Sequence, residues 1–277
     1  MILDCHTHSS FSPDAEDGVA AMAARAAELG LKVYAVTDHC ECNRFYGEEH
    51  YEKIERGQYG NKELAESSLR AILEVRERLK GDMKLLAGVE LGQATFDEEA
   101  AGIVTSNDAY DVIIGSMHQI PDLEDFCFID PADYDVDKAV EQYFAEVYKM
   151  CREIDFDVLA HLTYPLRYIE GNYGVKVNIS RCDDIIEEIL KHTAQNGRAL
   201  EINTSGLRQS YGKTFPEPGY VKLFKELGGE FITFGSDAHR ASDLGKGIET
   251  AEAMAVDAGF RYAAYFEKRE PRTIALN

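Results

Sequence analysis

The chain has 277 residues, enough for one large α/β domain or two small ones. Fifty acidic residues against 29 basic ones leave a net charge of −21, a surface that repels nucleic-acid phosphates and favours a small substrate carrying a cationic group. No stretch approaches the roughly 20 apolar residues of a membrane span, so neither nucleic acid nor membrane is an expected partner. The N-terminus lacks a basic region followed by an apolar one, and the six cysteines are scattered without a Cys-x-x-Cys pair. Both features lead to the expectation of a cytoplasmic protein with free thiols. Cys40-x-Cys42 is a weak candidate for a soft metal.

In chain order, Ile2-Leu3-Asp4-Cys5-His6-Thr7-His8 reads as a short buried strand delivering Asp-x-His-x-His. Side chains two apart on a strand share a face, so Asp4, His6 and His8 are expected to point together. Residues 16–30 form an Ala-rich helix, with Val19, Met22, Ala26 and Leu29 at helical spacing and Gly30 as its stop. A strand over 32–36 ends in Thr37-Asp38-His39. A polar, Tyr-rich loop covers 41–61, and 62–80 is a helix. A strand over 84–89 ends in Glu90. Then come a weaker helix over 97–106, a strand over 111–116 ending in Met117-His118, and an irregular stretch over 119–134. A helix over 136–154 precedes a strand over 157–160 that ends in His161. A helix over 181–196 stops at Gly197, and a strand over 199–202 runs into Asn203-Thr204-Ser205-Gly206. A helix over 219–227 leads to a strand over 230–234, which ends in Ser236-Asp237-Ala238-His239. Residues 241–259 are the last helix, and the tail from Phe260 is short.

Regular strand–helix alternation argues for a parallel sheet, and no linker or low-complexity segment divides the chain, so a single domain over 1–277 is expected. The polar residues choose between an open sheet and a closed barrel. His6, His8, His39, His118, His161 and His239 all fall at strand C-termini, joined by Asp4, Glu90 and Asp237. Only a barrel gathers all its strand ends around one opening. His192 lies on a helix and His50 in the long loop. Each strand-end histidine alone is an ordinary junction residue. Six together, without thiolates, suit zinc, iron or manganese in a hydrolytic site. That is too many ligands for one ion, so two to three divalent ions are expected, with Glu90 a natural bridge.

Asp-x-His-x-His, Thr-Asp-His, Gly-x-Glu, the two single histidines and Ser-Asp-Ala-His, in this order, resemble the polymerase and histidinol phosphatase (PHP) family. His161-Leu-Thr-Tyr-Pro-Leu-Arg167 and Glu201-Ile-Asn-Thr-Ser-Gly-Leu-Arg208 are similar to segments of its monofunctional histidinol-phosphate phosphatases. The resemblance implies a distorted (β/α)7 TIM-like barrel with a trinuclear metal site. Carried over residue by residue, it gives His6, His8, Glu90 and Asp237 to one metal and Glu90, His118 and His161 to a second. The third takes His39, His239 and one residue after the first strand. Many family members have a histidine there; this chain has Asp14, whose other role would be to cap the first helix. The implied reaction is hydrolysis of a phosphate monoester, L-histidinol phosphate, releasing phosphate in histidine biosynthesis. Arg167 and Arg208 are expected to grip phosphoryl oxygens. His39, Asp237 and a metal-bound water are candidates for protonating the leaving alcohol. A PHP-type phosphodiesterase or nuclease and a non-catalytic metal-binding module are the alternatives.

Overall fold

The computed structural model describes residues 2–42 and 62–276, and side chains from residue 65 onward in the second segment. Most of the expected loop over 41–61, including His50, lies outside the described residues. The elements are β1 (Leu3–Asp4), α1 (Val19–Glu28), β2 (Val33–Val36), β3 (His39–Glu41), α2 (Lys62–Arg78), β4 (Lys84–Gly92), α3 (Glu98–Thr105) and β5 (Val112–Ser116). They continue with α4 (Val136–Glu153), β6 (Val158–Leu159), α5 (Asp183–Gln195), β7 (Ala199–Asn203), α6 (Pro218–Glu226), β8 (Phe231–Gly235), α7 (Ile248–Asp257), β9 (Tyr262–Glu267) and β10 (Glu270–Ala275).

The parallel strands run in the order β1-β2-β4-β5-β6-β7-β8, with β3 continuing the stave of β2 alongside β4. Backbone bonds then join the last stave to the first. Cys5 N–H donates to Phe234 O at 2.8 Å, Asp237 N–H to His6 O at 2.8 Å and His8 N–H to Ala238 O at 2.9 Å. The result is a nearly closed seven-stave barrel, as the placement of polar strand ends predicts. β2, β5 and β7 are buried along their whole length, the signature of parallel strands covered on both faces. The covering helices follow from their apolar stripes. In α4, Ala139, Val140, Tyr143, Phe144, Val147 and Met150 are buried, and the Asp135 side chain caps the first turn. In α1 the buried stripe is Val19, Met22, Ala23 and Ala26.

Three expectations are corrected. The last helix begins at Ile248, after a short turn over 241–243. The loop expected from residue 41 begins later, because His39–Glu41 is a strand whose backbone pairs with β4, His39 opposite Glu90. The tail is not a simple end: β9 and β10 form an antiparallel hairpin. Its two turn residues, Lys268 and Arg269, take φ of 55° and 65°. A two-residue turn matching strand twist needs positive φ at both positions, which usually calls for Gly or Asn. Here Asp111 holds it instead, its carbonyl accepting from Arg269 N–H at 2.9 Å and its carboxylate from Lys268 N–H at 3.2 Å.

Candidate metal centre

The register of the parallel strands carries the polar residues to one opening. Glu90 stands at its centre, fully buried. Its Oε1 lies 2.8 Å from His161 Nε2 and 3.1 Å from His118 Nε2. Its Oε2 lies 2.7 Å from His39 Nδ1, 3.4 Å from His6 Nε2 and 3.6 Å from His8 Nε2. Five imidazoles thus surround one carboxylate. Asp237 approaches from the other side, with Oδ1 3.3 Å from His8 Nε2 and 3.6 Å from His239 Nδ1. Asp237 sits at φ 53°, a left-handed conformation that a non-glycine residue adopts only where the surroundings enforce it.

Of the residues picked out by sequence, His6, His8, His39, Glu90, His118, His161, Asp237 and His239 therefore converge. Asp14 reaches the same rim from the loop after β1. Its Oδ2 is 3.1 Å from His239 Nε2 and its Oδ1 3.7 Å from His39 Nε2. It does not cap α1, whose N-cap is Gly18. Asp4 is a correction. It is buried, but its two carboxylate oxygens accept from Ser236 N–H at 2.8 Å and Gly245 N–H at 2.9 Å. β1 ends at Asp4, so the strand alternation does not extend to His6 and His8. His192 packs edge-on to Tyr148, away from the opening. Cys40 and Cys42 are buried and join no converging set of ligand atoms among the described residues.

The loop carrying His8 is pinned by Asp38. This buried carboxylate accepts from Ser9 N–H at 2.6 Å and from the hydroxyls of Ser9 at 2.7 Å, Ser12 at 2.7 Å and Ser68 at 2.5 Å. The Ser12 hydroxyl in turn lies 3.0 Å from His8 Nδ1.

Burial alone would push the Glu90 carboxyl up, but His39, His6 and His118 hold it well below the usual carboxylate range. Burial would likewise raise Asp237, and Arg167 with His8 holds it well below. His118 is the converse: burial opposes its charge, yet Glu41 and Glu90 raise it to about 10. The opening has a strong demand for positive charge.

That demand matches the buried ligand atoms. His6 Nε2, His8 Nε2, His39 Nδ1 and Glu90 Oε2 are buried and make no well-formed hydrogen bond, only the close imidazole–carboxylate approaches given above, an arrangement that a shared cation would satisfy. Three sets each bring their ligand atoms within 4.8 Å of one another: His6, His8 and Glu90; His39, Glu90 and His118; His8, His39 and His239. All are imidazole or carboxylate, and the sets overlap. The residues fit closely spaced divalent ions.

A cavity of about 200 Å³ opens above the cluster, lined also by Glu41, Asp125, Tyr164, Arg167 and Tyr168. Arg167 is buried and donates through Nη2 to Asp237 Oδ2 at 2.8 Å and to the Ser205 hydroxyl. The rings of Phe215 and Tyr164 flank its guanidinium, 5.0 and 5.3 Å from its carbon. Arg208 donates through Nη2 to Asp237 O at 3.3 Å, while its buried Nη1 has no partner. It lines an adjoining recess with Arg167, Arg240, Asp14 and His239. Gly206 makes the approach possible, because a Cβ there would strike Lys213 O.

A family profile described as "PHP domain" matches residues 4–205. The chain belongs to the PHP domain family. Among PHP relatives, a protein of Thermotoga maritima named "Probable histidinol-phosphatase" is 28% identical over 270 residues, 97% of each chain. The "Histidinol-phosphatase" of Lactococcus lactis is 28% identical over 271 residues, 95% of this chain and 94% of that one. A crystal structure of histidinol phosphate phosphatase from Lactococcus lactis, complexed with zinc, L-histidinol and phosphate, superposes with a TM-score of 0.80. It shares 25% identity and covers 98% of each chain. The family match covers residues 4–205, and the solved structure superposes on nearly the whole barrel.

Two residues of this rim escape a reading of sequence motifs. Glu41 Oε1 lies 3.0 Å from His118 Nδ1, and Glu201 Oε1 lies 2.7 Å from His6 Nδ1. A signal exists for both: each is a carboxylate two residues from another polar residue on a strand, Glu41 after His39 and Glu201 before Asn203.

Proposed function

We propose that this PHP-family chain, one domain over 1–277, is a metal-dependent phosphomonoesterase that hydrolyses L-histidinol phosphate to L-histidinol and phosphate. The observation that carries the proposal is the crowd of buried imidazole and carboxylate atoms around Glu90, several without a well-formed hydrogen bond, opening to a cavity walled by Arg167. Likeness to proteins named histidinol-phosphatase, and to a structure holding zinc, L-histidinol and phosphate, supports the choice of substrate. His6, His8, Glu90 and Asp237 would hold one ion, and Glu90, His118 and His161 a second. His39, His239 and Asp14 would hold a third, from zinc, iron or manganese. When bound, the ions neutralise phosphoryl charge and lower the pKa of water so that it can attack phosphorus.

The chain's own residues do the rest. Arg167, held flat between aromatic rings, orients Asp237 and presents a fixed positive charge. Arg208, whose buried Nη1 has no hydrogen-bond partner, would donate to phosphoryl oxygens left unbound by metal, where charge grows during transfer. Asp237 is kept ionised by Arg167, which suits a ligand better than a proton donor. His39, if it holds the third ion, has its other nitrogen 2.7 Å from Glu90, which leaves a metal-bound water as the better candidate for protonating the leaving alcohol. No described helix is long and apolar enough to cross a membrane. The cysteines are unpaired, which fits a reducing cytoplasm.

Steady-state hydrolysis of L-histidinol phosphate, other phosphate monoesters and a short oligonucleotide, with zinc, iron or manganese, tests the proposal. Histidinol phosphate should be preferred and a chelator should abolish turnover. Preference for the oligonucleotide would favour a phosphodiesterase instead.

A further inference from the structure

We propose that Glu41 and Glu201 are positioning residues of the metal centre. Each accepts the Nδ1–H of one histidine, so that His118 and His6 both turn Nε2 toward Glu90. The assignment rests on the metal-binding reading above and extends it to two residues that bind no metal themselves.

Glu201 is fully buried on β7, and both its oxygens are used. Oε1 faces His6 Nδ1 at 2.7 Å, and Oε2 accepts from the backbone N–H of His161 at 2.8 Å. One carboxylate thus fixes the ring of His6 and the backbone of His161. Glu41, on β3, places Oε1 3.0 Å from His118 Nδ1, while His118 Nε2 lies 3.1 Å from Glu90. A carboxylate oxygen of this kind accepts and does not donate, so Nδ1 carries a proton, and the neutral ring that a metal would need then keeps its lone pair on Nε2. Carboxylates behind metal-bound imidazoles fix the tautomer and raise ligand basicity in this way.

The backbone has been cleared for both. A Cβ on Gly92, the direct β4 partner of Glu41, would overlap the Glu41 carboxylate. A Cβ on Gly235 would overlap the Glu201 carboxylate and the Cβ of His6. Neither glycine has positive φ, so each is there for space rather than for conformation. Two glycines on different strands, each facing one of the two carboxylates, argue against a chance contact.

The test is zinc affinity of the chelator-stripped protein, measured by competition with a metal indicator, alongside the number of ions bound at saturation. Glu41→Ala and Glu201→Ala should each weaken zinc binding by about 10- to 100-fold while the number of ions at saturation stays that of the wild type. Glutamine at either position keeps an acceptor oxygen and should recover most of the loss. Gly92→Ala leaves the charge of Glu41 intact but displaces it, and should weaken binding like Glu41→Ala. It keeps the test open if Glu201→Ala does not fold. Unchanged affinity in the alanine variants would overturn the assignment, as would an ion lost at saturation, which would make the carboxylate a ligand. Equal losses for Gln and Ala would mean charge rather than position and would also overturn it. A wild type that takes up no zinc would instead overturn the metal reading itself.

Discussion

The two rims of the barrel use the same residue types to opposite ends. Where the strands begin, Asp157 accepts from Ile113 N–H at 2.8 Å and from Arg269 Nε at 2.6 Å, and Arg269 also pairs with Asp155 at 3.2 Å. Asp111 accepts from Ala87 N–H at 2.9 Å and from Arg76 Nη1 at 2.5 Å. Where the strands end, imidazoles crowd Glu90 and several ligand atoms make no well-formed hydrogen bond. At the first rim Asp157 and Asp111 are each answered by an arginine and a backbone N–H of the chain, which is what a structural ion pair requires. At the second the chain leaves positive charge to be supplied from outside. The difference separates residues that hold the barrel together from residues that prepare it for chemistry.

The sharpest way to break this contrast is Glu90→Gln, which removes the shared carboxylate without changing its size. Phosphatase turnover should fall by about a thousandfold, the upper scale for losing one preorganised charge, and bound metal should fall with it. Metal analysis and kinetics on the same preparation check both. Arg269→Ala is the matching cut at the other rim. It leaves Asp157 buried without its cation and should reduce unfolding free energy by about 3 kcal/mol, with metal content unchanged. Burial pushes the Asp157 carboxyl up to about 6 even with Arg269 beside it. A carboxyl whose folded pKa is raised is protonated in the folded state at pH 4 and ionised at pH 8. The loss in the variant should therefore be larger at pH 8, as denaturant melts at the two values would show.

Smaller effects sharpen the contrast within the open rim. Arg208→Ala should lower turnover on L-histidinol phosphate by about a hundredfold with metal content intact, because arginine does not ligate. Arg208→Lys should restore only part, since a point charge cannot reproduce the planar fork. Wild-type kinetics in the alanine variant would make Arg208 a surface charge. Asp14→Ala should cost about tenfold in activity and lower metal content. Because Gly18 rather than Asp14 caps α1, its melting temperature without metal should match the wild type; a large drop would return Asp14 to a structural role.

How much of this was legible in the sequence follows the same division. The barrel and eight of its rim residues were readable, because helices, several stopped by glycine, alternate with strands nearly all of which end in a histidine or carboxylate. Asp14 was readable only as a choice between ligand and cap. Asp4 was expected to point with His6 and His8, but backbone amides at Ser236 and Gly245, far along the chain, claim its oxygens. The β9–β10 hairpin was missed because its turn uses Lys268 and Arg269 where glycine or asparagine is usual, with Asp111 supplying the compensation from far along the chain. Glu41 and Glu201 were missed for a related reason. Their partners, His118 and His6, are 77 and 195 residues away, and only the barrel brings them together.

The central claim is that the strand-end rim is built for more than one metal ion. The direct measurement is elemental analysis of gently purified protein, repeated after stripping and reconstitution with zinc, iron or manganese. Two to three ions per chain are predicted. Saturation at one ion, or none, would contradict the claim.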